Sequence, residues 1–130
     1  MASDATPLAT SSCEPCKGDS PSIPSSEYSN YLSQLSPSWR IESFSNNTAP
    51  ALQRDFRFKN FKQAMQFGNT IGDIAEMPGI KHHPAIVIEW GKVTCAWWTH
   101  AINGLHKNDF ICAAKTDEAA KEAKGLIQQE

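Results

Sequence analysis

Apolar residues recur along the chain with two different periods. Tyr28, Tyr31, Leu32 and Leu35 fall three and four apart, which places them on one face of a short helix. Pro24-Ser25-Ser26-Glu27 supplies its start, with Ser25 or Ser26 as cap, and Pro37 its end. Trp39–Phe44 reads as a strand with Trp39 and Ile41 on one side, and Asn46-Asn47-Thr48 as the turn after it. In the next strand Leu52, Arg54, Phe56 and Phe58 share a side opposite Gln53, Asp55 and Arg57, so Arg54 interrupts the apolar row. The longer period then returns. Asn60 caps a long helix in which Phe61, Ala64, Met65, Gly68, Ile71, Ile74 and Ala75 share a face, and Pro78-Gly79 stops it. Gly68 lets that helix lie close to a sheet.

Ala85–Trp90, Gly91-Lys92 and Val93–Trp98 predict a β-hairpin. Both faces of its second strand are partly apolar, which fits an inner strand or a subunit contact. Asn103-Gly104 is a turn. Asn108 caps a last helix, with Asp109 in its first turn and Gly125 as its stop. The order α-β-β-α-β-β-α predicts an α+β fold, a four-stranded antiparallel sheet with helices packed on one face. Residues 1–24 are rich in Pro, Ser, Thr and Ala and predict a flexible N-terminal tail; residues 25–130 form the domain.

Composition narrows the function. Of 130 residues, 40% are hydrophobic and 20% charged, and the net charge is −2, so no direct nucleic-acid binding is expected. No apolar run has the ~20 residues of a membrane span. The N-terminus has neither the basic start nor the apolar core of a secretory signal, which predicts a cytoplasmic protein, or a nuclear one. Cys13, Cys16, Cys95 and Cys112 are then expected to stay reduced. Cys13-Glu14-Pro15-Cys16 has the spacing of a metal knuckle or a redox pair. It lacks a second ligand pair nearby and the strand–helix setting of a redox site, so an inert pair is the default.

The concentrated chemistry lies at one end of the hairpin. His82 and His83 precede its first strand and His100 follows its second, so the turn returns all three to the same end. A metal site is one reading, although adjacent histidines on an extended segment point to opposite sides and no HExxH motif is present. A structural role is another. Imidazoles titrate near neutral pH, and two or three around a pocket can remove one proton and deliver another. No nucleophile elbow or glycine-rich phosphate loop is visible. Chemistry that needs only proton transfer fits best, and Trp90, Trp97 and Trp98 could offer aromatic surface to a flat ligand.

His82-His83-Pro84, Trp90, Lys92-Val93, Trp98-Thr99-His100-Ala101, Gly104-Leu105 and Asn108-Asp109-Phe110-Ile111 together resemble the pterin-4a-carbinolamine dehydratases. Trp39 and Phe56–Phe61 resemble that family's Trp and its Phe-rich strand-to-helix junction, and Cys13-x-Pro-Cys16-x-Gly18 an N-terminal element of many members. The likeness runs from Cys13 to about Thr116. It implies dehydration of 4a-hydroxytetrahydropterin (the 4a-hydroxytetrahydrobiopterin type of substrate) to quinonoid dihydropterin, without metal or redox cofactor. It also implies assembly into homodimers or homotetramers through the sheets. A hydroxylase or a transcription factor would be a possible protein partner, since some relatives are dimerisation cofactors.

By the same resemblance His82, His83 and His100 are the catalytic candidates. Glu76, Lys81, Pro84, Trp98, Thr99, Ala101 and Asp109 are the candidate substrate-binding residues. Pro78 stands where the family carries an acidic or polar residue, and Glu76 takes that place if Gly79–Lys81 contains a two-residue insertion. Lys81 replaces a small or acidic residue, and Ile86 stands where some members have Trp.

Overall fold

The structure, a computed structural model, describes residues 7–13, 21–45 and 49–127. Its helices are α1 (Tyr28–Leu32), α2 (Phe61–Glu76) and α3 (Lys107–Lys121). Its strands are β1 (Arg40–Ser43), β2 (Pro50–Phe58), β3 (Ala85–Glu89), β4 (Lys92–Trp97) and β5 (Leu126–Ile127). All pairs are antiparallel, in the order β1-β2-β4-β3, with β5 added to the end of β2. The predicted α+β class and element order hold, with the two-residue β5 as an unpredicted fifth strand.

Register explains which side chains enter the core. Ile41, Leu52 and Trp97 lie in one row across the sheet, and Phe56, Val93 and Ile88 in another. Leu52, Phe56, Val93 and Trp97 are fully buried, each contributing about 1.5–3 kcal/mol relative to exposure where its class is aliphatic or Phe. Helix α2 covers this face. Phe67 packs 4.8 Å from Phe56 and 5.3 Å from Phe58 between ring centroids. A Cβ on Gly68 would fall 2.5 Å from Ile88 Cδ1, so the glycine does permit the close approach. Phe67 joins the buried face, whereas Phe61 and Met65, expected on it, are exposed. Helix α1 rests on α3 through Tyr31 stacked on Phe110.

Arg54 does not break the apolar row, because it is neutralised inside the core. Its Nη1 lies 2.6 Å from Asp117 Oδ1 on α3, and its guanidinium sits 4.3 Å above the Phe56 ring. Asp117 also accepts from Trp39 Nε1 at 2.8 Å and from the Ser36 amide at 2.9 Å.

Local details differ from expectation at several points. The hairpin turns at Trp90-Gly91, with Glu89 opposite Lys92, rather than at Gly91-Lys92. Asn60 caps α2 as expected, accepting from the Gln63 amide at 2.8 Å. Neither Ser25 nor Ser26 caps α1; they form a 3-10 turn with Glu27 that leads into it. Helix α3 is capped by His106, not Asn108. It ends at Lys121, before Gly125, whose positive φ of 81° instead turns the chain into β5.

Residues 7–13, assigned to a flexible tail by composition, lie against the domain. Leu8 is buried, Lys115 Nζ donates to the Ala9 carbonyl at 2.8 Å, and the Cys13 amide donates to the Gly79 carbonyl at 2.9 Å. Cys16 and the Asn46–Thr48 turn lie outside the described residues.

Candidate active site

The end of α2 sets the first part of the site. Glu76 is its last residue, and the Ile80 amide donates back to the Met77 carbonyl at 3.0 Å. Gly79 and Lys81 both take positive φ, 83° and 42°. For Lys81 that left-handed geometry costs about 1–2 kcal/mol, so surrounding contacts must hold it. Buried Ile80 is one anchor, and the His82 amide, donating to the Ala75 carbonyl at 3.2 Å, is another.

The two adjacent imidazoles then reach different partners. His82 turns inward. Its ring stacks on buried Trp97, 5.8 Å between centroids and 14° from parallel, and its Nε2 lies 2.6 Å from Asp109 Oδ1. His83 stays exposed, with Nε2 2.6 Å from Glu76 Oε2. The other Glu76 oxygen lies 3.0 Å from Lys81 Nζ. Glu76 therefore reaches His83, though not His82, across Pro78-Gly79.

Asp109 is fully buried in the first turn of α3. Its Oδ2 accepts from Thr99 Oγ1 at 2.8 Å and from the His106 amide at 2.9 Å. The same helix end receives the Asn108 amide on His106 Nδ1 at 3.0 Å. Since a carboxylate only accepts, His82 must donate from Nε2, which leaves Nδ1 as its other ring nitrogen. Burial pulls the His82 pKa down, but the hydrogen bond and charge of Asp109 outweigh it, and the net shift is upward. Hydrogen bonds from Lys81 and then His83 hold Glu76 below the usual carboxylate range.

His100 comes from the other side of the hairpin. It opens a 3-10 turn, His100–Ile102, closed by paired backbone bonds between Thr99 and Gly104 and by left-handed Asn103. Its ring lies 4.7 Å from that of Trp98. A cavity of about 540 Å³ is lined by Lys81, His82, His83, Thr99, His100 and Ala101, so the three imidazoles do share one space. That volume suits a small heterocyclic ligand. A cavity of about 610 Å³ beside α3 is larger, but its walls carry no histidine or thiol, and Arg54 and Asp117 there are paired to each other.

Of the other expected residues, Glu76 and Asp109 hold the histidines from behind, and Trp98 supports His100. Pro84, like Glu76, Trp98 and Asp109, lies outside the cavity lining. Trp90 is exposed at the far end of the hairpin and Trp97 is wholly buried, so neither gives the cavity an open aromatic face. Cys13, Gly79, Ile80 and Asn108 line the cavity without having been expected there. Among the described residues no three His, Cys, Asp or Glu side chains converge as a metal-ligand set.

The family profile described as "Pterin 4 alpha carbinolamine dehydratase" matches residues 21–119. The chain belongs to this family. The matched stretch spans every helix and strand named above except the end of α3 and β5. The fold is also similar to the "Crystal structure of transcriptional coactivator/pterin dehydratase from Brucella Melitensis". Identity is 26% and the TM-score 0.63, over 75% of this chain and 97% of that one. Membership supports a dehydratase acting on a pterin. No helix among the described residues is long and apolar enough to cross a membrane.

Proposed function

We propose that the chain dehydrates 4a-hydroxytetrahydropterin to quinonoid dihydropterin by histidine acid–base catalysis. The observation that carries this is the convergence of His82, His83 and His100 on one cavity, with His82 held by a buried carboxylate. In the reaction the C4a–O bond breaks, the N5–H proton leaves, a C4a–N5 double bond forms, and water departs. One group must accept a proton and another must supply one. His82 and His100 exchange these protons, and His83, steadied by Glu76, holds the pterin and assists. Lys81, Thr99 and Ala101 line the wall against which the bicyclic ring rests. We also infer a homodimer or homotetramer, assembled through the sheets.

The test is a stopped assay of carbinolamine dehydration with purified protein. Replacing His82 and His100 together by Ala should leave only the spontaneous rate. Full activity in a folded double variant would rule the mechanism out.

A second reading, a protein-binding role, is favoured by the coactivator name of the Brucella melitensis structure. Capture of a specific transcription factor that survives the double replacement would support it.

A further inference from the structure

Two thiols meet beside the histidine cavity, and proton transfer there needs neither. Cys13 Sγ lies 3.8 Å from Cys112 Sγ, across 99 positions of sequence. Cys13 is half-buried and lines the cavity with His82 and His100; Cys112 is buried on α3, three residues after Asp109. The Cys13 amide is bonded to Gly79, in the turn that carries Lys81 and the histidine pair.

We propose that Cys13 and Cys112 are a peroxide-oxidisable thiol pair whose disulfide fastens the N-terminal segment to α3 at the edge of the histidine cavity. The geometry divides the roles. Cys13 is the thiol that solvent can reach. Its pKa is lowered, chiefly by the hydrogen bond it shares with Cys112, and His82 and Lys115 lower it further, against burial and Asp109. Cys112 is raised, first by the hydrogen bond it shares with Cys13 and then by burial. A low-pKa, accessible thiol next to a buried partner is the arrangement of a reactive cysteine with a resolving one.

The oxidant is a hydroperoxide. The Cys13 thiolate attacks one peroxide oxygen, the O–O bond breaks, and hydroxide leaves and is protonated; for hydrogen peroxide the products are Cys13 sulfenic acid and water. Cys112 sulfur then attacks the Cys13 sulfur, losing its proton as the S–O bond breaks, and a second water departs. Two thiols are oxidised by two electrons and one peroxide is reduced. The sulfurs close from 3.8 Å to a bond of about 2.05 Å, a small movement for a residue at the edge of the domain. Bridging positions so far apart in sequence restricts the unfolded chain strongly.

The experiment exposes the full native chain to a few equivalents of hydrogen peroxide, alkylates the remaining thiols, and maps the peptides under non-reducing conditions. The expected result is a peptide joining Cys13 to Cys112, lost on adding a thiol reductant, together with a Tm several degrees higher in the oxidised form. In the Cys13→Ser variant Cys112 should stay alkylatable after unfolding. Three outcomes would overturn the proposal: Cys13 joined to Cys16, Cys13 over-oxidised while Cys112 remains a thiol, or Cys112 oxidised equally fast in Cys13→Ser. An unchanged or lower Tm on crosslinking would overturn the fastening role. None of these readouts depends on dehydratase activity.

Discussion

His82 Nε2 lies 2.6 Å from Oδ1 of Asp109, a carboxylate with no exposed surface. The other carboxylate oxygen is occupied by Thr99 and the His106 amide, so Asp109 cannot swing to another partner. The contact joins the turn after α2 to the first turn of α3 and sets both the tautomer and the charge preference of the imidazole.

Replacing Asp109 by Asn should therefore act twice. The single amide oxygen, placed where Oδ2 sits, keeps both Thr99 Oγ1 and the His106 N–H, so the amide NH2 then faces His82 Nε2, whose N–H loses its acceptor at a cost of about 1–3 kcal/mol. Without the negative charge, burial, the largest influence on His82, is opposed only by Cys13, and the pKa should fall. The sign for pH follows. In the parent chain the folded pKa is raised, so His82 contributes stability fully below its unfolded value of about 6.5 and loses it as pH rises through the folded value. Asp109→Asn should then lose more stability near about pH 5 than near about pH 8, read from urea midpoints. NMR titration of the His82 ring should move to lower pH.

Replacing the histidines singly should separate stability from activity. His82→Ala strands Asp109 in the core and should cost about 1–3 kcal/mol as well as activity. His100 is exposed, and His100→Ala should leave the denaturation midpoint almost unmoved. Each should slow the catalysed step by on the order of 10²-fold or more. A His100→Ala protein that is stable and fully active would remove His100 from the mechanism.

Glu76 and His83 face solvent, so Glu76→Gln should hardly change stability. Its effect should appear in substrate binding, as a rise in KM of no more than about fivefold with a smaller change in kcat. A loss confined to kcat would mean that Glu76 acts on the chemical step.

Much of this site could be read from spacing. A hairpin's ends must meet, so His82, His83 and His100 had to converge, and apolar residues on both faces of Val93–Trp98 marked an inner strand. The missing parts depend on contacts that no local pattern carries. Leu8 is one apolar residue in a Ser- and Thr-rich stretch, and its docking depends on a surface made by α3. Cys13 and Cys112 meet only after folding. β5 is two residues long, too short to show a period. His106 is not among the common N-cap residue types; its Nδ1 bond to the Asn108 amide and its own amide's bond to Asp109 identify it. Arg54 looked like a break in the apolar row only because its partner, Asp117, lies 63 positions away.

That partnership supports the last prediction. Arg54 and Asp117 are both nearly buried, and Asp117 also holds Trp39 and the Ser36 amide. Arg54→Met removes the cation but leaves the carboxylate inside, which should cost about 3–5 kcal/mol. Asp117→Asn retains an oxygen for Trp39 Nε1, but Arg54 remains charged and buried, so this variant should also be destabilised. Combining the two removes both charges at once. The double variant should then be more stable than the sum of the single losses predicts, and urea denaturation of all four proteins measures that difference directly. Strict additivity would mean that the two charges, 2.6 Å apart, do not stabilise each other.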